Sequence, residues 1–242
     1  MLSIIACSPK YVALYHTKSD LPNYENQFYL YENDTLAIKY SFWQNKGIMS
    51  FSVYNKLNVP IYIDWKKSNY ISNVLKFDYW SDKEVMKGKT SGYSYRYDGP
   101  VSVPYMRLYG STINSETVKP ERITFLPPKT VIYKSSYLLI TETTIDPQGG
   151  TPIKIQEPFN GKGTYVIYKK SFSRTYSPLI FRNFLTYSTS ENFKDEKYVN
   201  NEFYVSEIEY INRNYFKSYR ELNGTPFYVY PYMKGTCFYL EK

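Results

Sequence analysis

Histidine and cysteine are scarce in this 242-residue sequence, which contains one histidine, His16, and two cysteines, Cys7 and Cys237. A zinc site built from several histidine and cysteine ligands is therefore excluded. A Ser-His-Asp hydrolase would have to use His16 as its base, and no Gly-x-Ser-x-Gly nucleophile motif accompanies it. The chain also has no run of about 18 apolar residues after its first residues, so we expect any membrane attachment to be through a lipid.

Alanine is nearly absent, whereas there are 30 tyrosines and the aromatic fraction is 19%. Alanine is the best helix former, while tyrosine and phenylalanine favour the pleated surface of a strand. Hydrophobic residues make up 43% of the chain and charged residues 21%, which is enough apolar material to build a core. The composition therefore predicts a folded, all-β protein.

The formal charge of +8 and the isoelectric point near 9.1 permit an anionic partner. A nucleic-acid surface concentrates its basic residues on one face. Here they occur singly or as pairs such as Lys66-Lys67 and Lys169-Lys170, interleaved with acidic residues. We therefore expect no nucleic-acid partner.

Apolar and polar residues alternate with the period of a strand in several segments. Residues 36–42 and 49–53 show this pattern, and Gln44-Asn45-Lys46-Gly47 between them has hairpin-turn chemistry. About ten such strand candidates, without a long helical stripe or a fixed repeat, predict an antiparallel, two-sheet β-sandwich. We expect it to be immunoglobulin-like or jelly-roll-like and to form a single domain over residues 28–242.

Two segments lack this alternation. Residues 8–27, which end in a polar stretch from Lys18 to Gln27, are interpreted as a tether that precedes the domain. Residues 80–121 are rich in glycine and proline and are interpreted as a long, irregular insertion.

The start of the chain, Ile4-Ile5-Ala6-Cys7, matches the lipobox of bacterial lipoproteins, in which the cysteine receives the lipid. Residues 1–7 are therefore interpreted as a truncated lipoprotein signal that ends at Cys7. Six residues are too few for a complete signal, so either the start codon was assigned too late or the match is accidental. With Cys7 lipidated, Cys237 is expected to be a small buried hydrophobic residue, and the alternative is a Cys7–Cys237 disulfide.

The acidic and tryptophan residues supply few candidates for a site. Glu207 and Glu209 are two apart on a predicted strand, where they would share a face with Val205 and Ile211, and a glycosidase needs two carboxylates. Asp78 and Asp82 lie near Trp80, but nothing marks one acid of either pair as protonated. Among Trp43, Trp65 and Trp80, which could form a sugar-stacking platform, the alternation of Trp65 with Ile61 and Ile63 favours the core. Trp80 precedes a polar run and is the candidate ligand contact. No catalytic residue, metal ligand or cofactor is predicted.

Four segments together are similar to uncharacterised envelope lipoproteins of Bacteroidota: the Ile-Ile-Ala-Cys start and residues 55–65, 122–128 and 177–187. The resemblance implies a lipid anchor at Cys7 in the bacterial outer membrane and assigns no activity. Because no acidic run follows Cys7, we expect a periplasm-facing domain. The expected function is that of a non-enzymatic envelope protein acting through protein or glycan contacts. The alternatives are a carbohydrate-binding or adhesive module and a carboxylate-based glycosidase.

Overall fold

The computed structural model describes residues 11–82, 85–96, 107–118, 120–141, 145–159, 161–222 and 225–241. These residues form nineteen strands, a single-turn helix α1 at Arg213–Phe216 and a 3-10 helix at Arg174–Tyr176. In the described part of the chain no helix has the length and apolar character needed to cross a bilayer.

In chain order the strands are β1 (Tyr11–Lys18), β2 (Asn23–Tyr24), β3 (Phe28–Glu32), β4 (Leu36–Tyr40), β5 (Ile48–Asn55), β6 (Ile61–Asp64), β7 (Asn69–Ser72), β8 (Leu75–Asp78), β9 (Val85–Arg96), β10 (Arg107–Val118), β11 (Ile123–Leu126), β12 (Val131–Leu138), β13 (Thr151–Gln156), β14 (Thr164–Ser171), β15 (Ile180–Ser188), β16 (Lys197–Asn212), β17 (Ser218–Leu222), β18 (Thr225–Val229) and β19 (Cys237–Leu240).

Most strands belong to two open antiparallel sheets, and the prediction of an all-β sandwich is confirmed. The large sheet has ten strands, with the order β11-β6-β15-β16-β1-β19. Strand β14 also pairs with β16 and carries β13, while β7 pairs with β15 and carries β8. The small sheet has the order β12-β5-β4-β3-β2.

Aromatic side chains fill the space between the two sheets. Tyr40 and Phe42, from the small sheet and the turn after it, contact Phe203 of β16 with ring centroids 4.9 and 5.0 Å apart. Phe42 also meets Phe181 of β15 edge to face at 5.2 Å. These four rings are fully buried, so the alternating residues that the sequence places on the inner faces form the core.

The predicted hairpin between β4 and β5 is present and antiparallel. Lys46 and Gly47 in its turn take positive φ angles of 67° and 63°. A side chain at position 47 would also approach the ring of Phe238 to within 2.8 Å. Glycine therefore satisfies both the backbone angle and the close packing of this turn.

The interpretation of residues 8–27 as a tether is wrong for the residues that are described. Strand β1 lies inside the large sheet between β16 and β19. Its residues Val12, Ala13 and Leu14 are buried although they are consecutive, because both faces of β1 are covered. A strand covered on both faces shows a continuous apolar run in place of alternation, and the alternation criterion does not detect it.

The interpretation of residues 80–121 as an irregular insertion is also wrong for residues 85–96 and 107–118, which form strands. Residues 97–106 of this segment lie outside the described residues. Residues Trp80–Arg122 form a compact unit of their own. Within it, β9 and β10 make an antiparallel hairpin of twelve residue pairs, from Val85↔Val118 to Arg96↔Arg107. Gly88, Gly92 and Gly110 lie inside these strands. Glycine weakens a strand but keeps its backbone N–H donor, so the strand can continue through it.

Candidate functional site

A bulge in β16 decides which way its acidic side chains face. His16 of β1 lies opposite Glu207, whereas the next residue, Thr17, lies opposite Val205, so Ser206 is the extra residue. Neighbouring residues on a strand face opposite sides, and Glu207 therefore shares a face with His16 while Val205 does not. The prediction that Glu207, Glu209 and Ile211 share one face of β16 is confirmed. The prediction that Val205 lies on that face is wrong.

Five polar side chains from four strands converge on that face, and we call them the His16 cluster: His16, Lys169, Glu207, Glu209 and Cys237. The Nε2 atom of His16 lies 3.1 Å from Oε2 of Glu209, and its Nδ1 atom lies 3.3 Å from the Cys237 sulfur. The Lys169 ammonium is 2.7 Å from Oε1 of Glu207 and 3.9 Å from Oε1 of Glu209. Strand pairing positions all five, because Cys237 lies opposite His16 and Lys169 lies opposite Glu209.

The contacts of the cluster change the proton affinities of its members. Burial alone would lower the pKa of His16, but hydrogen bonds and charge interactions with Cys237 and Glu209 raise that pKa to about 9. Burial would raise the pKa of Glu209, but the His16 hydrogen bond and the charges of His16 and Lys169 lower it below its ordinary value. The cluster therefore carries a protonated imidazole beside an ionised carboxylate at neutral pH.

A cavity of about 390 Å³ adjoins the cluster. Its lining is mainly polar and includes His16, Glu207 and Cys237 from the cluster, with Asn23, Asn26, Tyr29, Ser171 and Ser206 among the other residues. Below this cluster the same face of the large sheet is apolar, with Leu14, Ile167 and Phe216 in a second hydrophobic core. The polar group therefore lies at the boundary between a packed core and solvent.

The structure places the other sequence candidates elsewhere. Trp65 is buried, as expected, and its indole N–H donates to Oγ1 of Thr124 at 2.7 Å. Trp80, the candidate ligand contact, is half-buried, and its indole N–H donates to the carbonyl of Pro120, within the same unit, at 3.0 Å. This hydrogen bond therefore joins the two ends of the Trp80–Arg122 unit.

The two cysteines and Asp78 are the remaining candidates. Cys237 is buried, as expected, and its sulfur contacts His16. Cys7, the candidate lipid-attachment residue and the other half of the alternative disulfide, lies outside the described residues. The Asp78 carboxylate pairs with the Lys76 ammonium at 2.8 Å, so this acid is occupied by a neighbour on its own strand.

A second candidate surface, which sequence analysis missed, lies on the β17–β18 hairpin. Tyr219 and Tyr228 are directly opposite each other, with exposed fractions of 58% and 55% and ring centroids 5.9 Å apart. The ammonium of Lys217 lies 5.1 Å from the Tyr228 ring centroid, and Glu221 shares their face of the hairpin. We call these four residues the aromatic face. Because the chain has thirty tyrosines, its sequence did not indicate which of them are exposed.

No protein-family model matches the chain, and neither a curated protein nor a solved structure matches it.

Proposed function

We propose that this chain is a non-enzymatic domain of the bacterial envelope that is anchored by lipid on Cys7, faces the periplasm and binds glycan. The observation that carries the proposal is the aromatic face, where Tyr219 and Tyr228 are each more than half exposed on one side of a hairpin. Membrane attachment at Cys7 is supported by the lipobox pattern of residues 4–7.

Exposed aromatic rings with nearby charged groups suit a sugar ligand. A sugar ring presents C–H groups that stack on an aromatic face, and hydroxyl groups that need donors and acceptors around it. The aromatic face supplies two phenol rings, the Lys217 ammonium and the exposed carboxylate of Glu221. The centre of a protein–protein interface is instead depleted of charge, so these neighbours favour glycan over a protein partner.

The state of the acidic residues supports a binding function over glycoside hydrolysis. A glycosidase requires one protonated and one ionised carboxyl group on opposite sides of the sugar bond. Here Glu207 pairs with Lys169, and Glu209 pairs with His16. The pKa of Glu209 is lowered by these cations, which is opposite to the direction that a general acid needs.

A glycan array probed with the soluble domain tests the binding function. We expect hits that disappear in the double variant Tyr219→Ala, Tyr228→Ala and persist in Tyr133→Ala, a matched control whose ring is 80% exposed on β12. Trp80→Ala is expected to retain the hits. The glycan proposal would be overturned if the double variant kept the hits, or if the wild-type domain gave no signal above that of the double variant.

Palmitate labelling tests the anchor separately. The gene extended into the upstream in-frame codons is expressed in a bacterium that processes lipoproteins. We expect label in the wild-type chain and none in Cys7→Ser. Absence of label in both, with the leader intact, would contradict the anchor while leaving the glycan result unaffected.

A further inference from the structure

We infer that His16, Glu207 and Glu209 form a binding site for one divalent transition-metal ion of the Zn²⁺ and Mn²⁺ class. The site is distinct from the aromatic face and does not depend on glycan binding. The imidazole and the two carboxylates can offer ligand atoms that all lie within 4.8 Å of one another. Each side chain is partly buried, so the three groups are held together by the sheet.

The spacing of two of the ligand atoms already suits a shared metal ion. Ligands bound to one Zn²⁺ at about 2.0–2.2 Å are about 3.0–3.5 Å apart in tetrahedral or octahedral geometry. The Nε2 atom of His16 and the Oε2 atom of Glu209 are 3.1 Å apart. Glu207 projects from the same side of β16 two residues earlier, because side chains two apart on a regular strand share a face. A small rotation of its side chain would supply the third ligand.

The ligand types select the class of ion. An imidazole nitrogen that releases its proton when the ion binds, together with carboxylate oxygens, suits Zn²⁺, Mn²⁺ or Fe²⁺, whereas Ca²⁺ and Mg²⁺ favour sites made of oxygen alone. Three protein ligands leave coordination positions for water. His16 and Glu207 both line the cavity, which supplies the route for the ion and the space for that water.

The remaining contacts of the cluster orient the ligands. The Nδ1 atom of His16 contacts the Cys237 sulfur at 3.3 Å, so the ring presents Nε2 to the carboxylates. Such a partner on the second nitrogen fixes the ring of a metal-bound histidine. We therefore place the sulfur outside the ligand set.

When no metal ion is bound, Lys169 neutralises Glu207, while His16 pairs with Glu209. Its ammonium contacts Glu207 at 2.7 Å, and its side chain is 31% exposed at the surface of the sheet. A flexible lysine stem can withdraw into solvent when a doubly charged ion arrives. Lys169 consequently competes with the metal, and its removal should strengthen metal binding.

The direct test uses the fact that His16 is the single histidine of the chain. Tag-free protein carrying Cys7→Ser is labelled with ¹⁵N-histidine, treated with chelator and titrated with Zn²⁺. We expect the Nε2 resonance of His16 to shift with saturation at one ion per chain, and Mg²⁺ to leave it unchanged. A shift of the Nδ1 resonance alone, or no shift, would overturn the ligand assignment.

Calorimetric titration of variants tests the competition. We expect Glu209→Gln to weaken Zn²⁺ binding at least tenfold and Lys169→Met to strengthen it about tenfold. Glu202→Gln, at another glutamate on β16 that pairs with Arg174, is the matched control and should leave the affinity unchanged. Thermal melts establish that each variant is folded. Failure of both the wild type and Lys169→Met to bind Zn²⁺ would show that the cluster is an ion-pair network only.

Discussion

His16 Nε2 and Glu209 Oε2 lie 3.1 Å apart although 193 residues separate them in the chain. They meet because β1, near the start of the described chain, pairs with β16, which begins only at Lys197. The pair is partly buried, so its charge interaction is screened less than that of a surface pair. The interaction of this pair therefore depends on pH.

We expect the stability of the metal-free protein to fall as pH rises from about 6 to 9.5. The folded state raises the pKa of His16 from 6.5 to about 9, so the folded protein binds this proton more tightly than the unfolded chain. The stabilisation is present below pH 6.5 and is lost as pH rises through 9. A shift of this size corresponds to at most about 3–4 kcal/mol.

Urea unfolding in the presence of chelator measures this effect as the difference between wild type and His16→Gln. Comparison with the variant removes the contributions of titrating groups that do not contact His16. The Glu209 contribution has the opposite sign, because its pKa is lowered by folding and its stabilisation is lost as pH falls below its ordinary value of 4.5. An equal pH dependence in the two proteins would refute the linkage.

Tyr40→Phe is expected to destabilise the protein by about 2–4 kcal/mol. The buried Tyr40 hydroxyl accepts hydrogen bonds from the side-chain amides of Asn183 and Asn201, both at 2.9 Å. Phenylalanine would leave two buried N–H groups without their acceptor. Chemical denaturation measures the loss, and Tyr133→Phe at an exposed ring is the control, with an expected change within about 0.5 kcal/mol.

Asn55→Asp is expected to lower the free energy of unfolding by more than about 3 kcal/mol, and by more than Asn55→Ala does. The buried Asn55 amide at the end of β5 faces three carbonyls, those of Val59, Leu126 and Pro127, at 2.9–3.1 Å. Two of these belong to the segment that ends β11, so the side chain ties the small sheet to the large one. A carboxylate would replace the donor with a negative charge. Asn58→Asp, at an exposed neighbour, is expected to be nearly neutral.

Gly235→Ala is expected to cost about 3 kcal/mol or more, because its added Cβ would lie 1.7 Å from the carbonyl oxygen of Gln27. Gly149→Ala provides the contrast. It adds a Cβ with no atom within 4 Å, although its φ of +72° makes alanine unfavourable by about 1 kcal/mol. Melting temperatures of the two variants distinguish a steric clash from backbone strain. Equal losses would contradict the packing at Gly235.

The alternation of apolar and polar residues predicted strands correctly where one face of the strand is buried and the other is not. Alternation located β4 and β5 and the turn at Lys46-Gly47, because side-chain direction in a strand depends on adjacent residues alone. It failed for β1, which is buried on both faces. It also failed for β9 and β10, where glycines occur inside regular strands.

The candidate site was harder to predict because its members come from distant strands. Sequence analysis considered the Glu207–Glu209 pair, His16 and Cys237 separately, and it assigned His16 to a tether. Their convergence depends on the pairing of β1 with both β16 and β19. No spacing within a single segment encodes such pairings.

The amino-acid sequence by itself determined that this protein is an antiparallel all-β sandwich, because tyrosine-rich composition and period-two alternation act over a few residues at a time. Only the tertiary structure decided that Glu207 and Glu209 face His16, and that Tyr219 and Tyr228 remain in solvent. The physical reason is that one extra residue, Ser206, reverses the direction of the side chains that follow it in β16, and long-range strand pairing determines which of them meet.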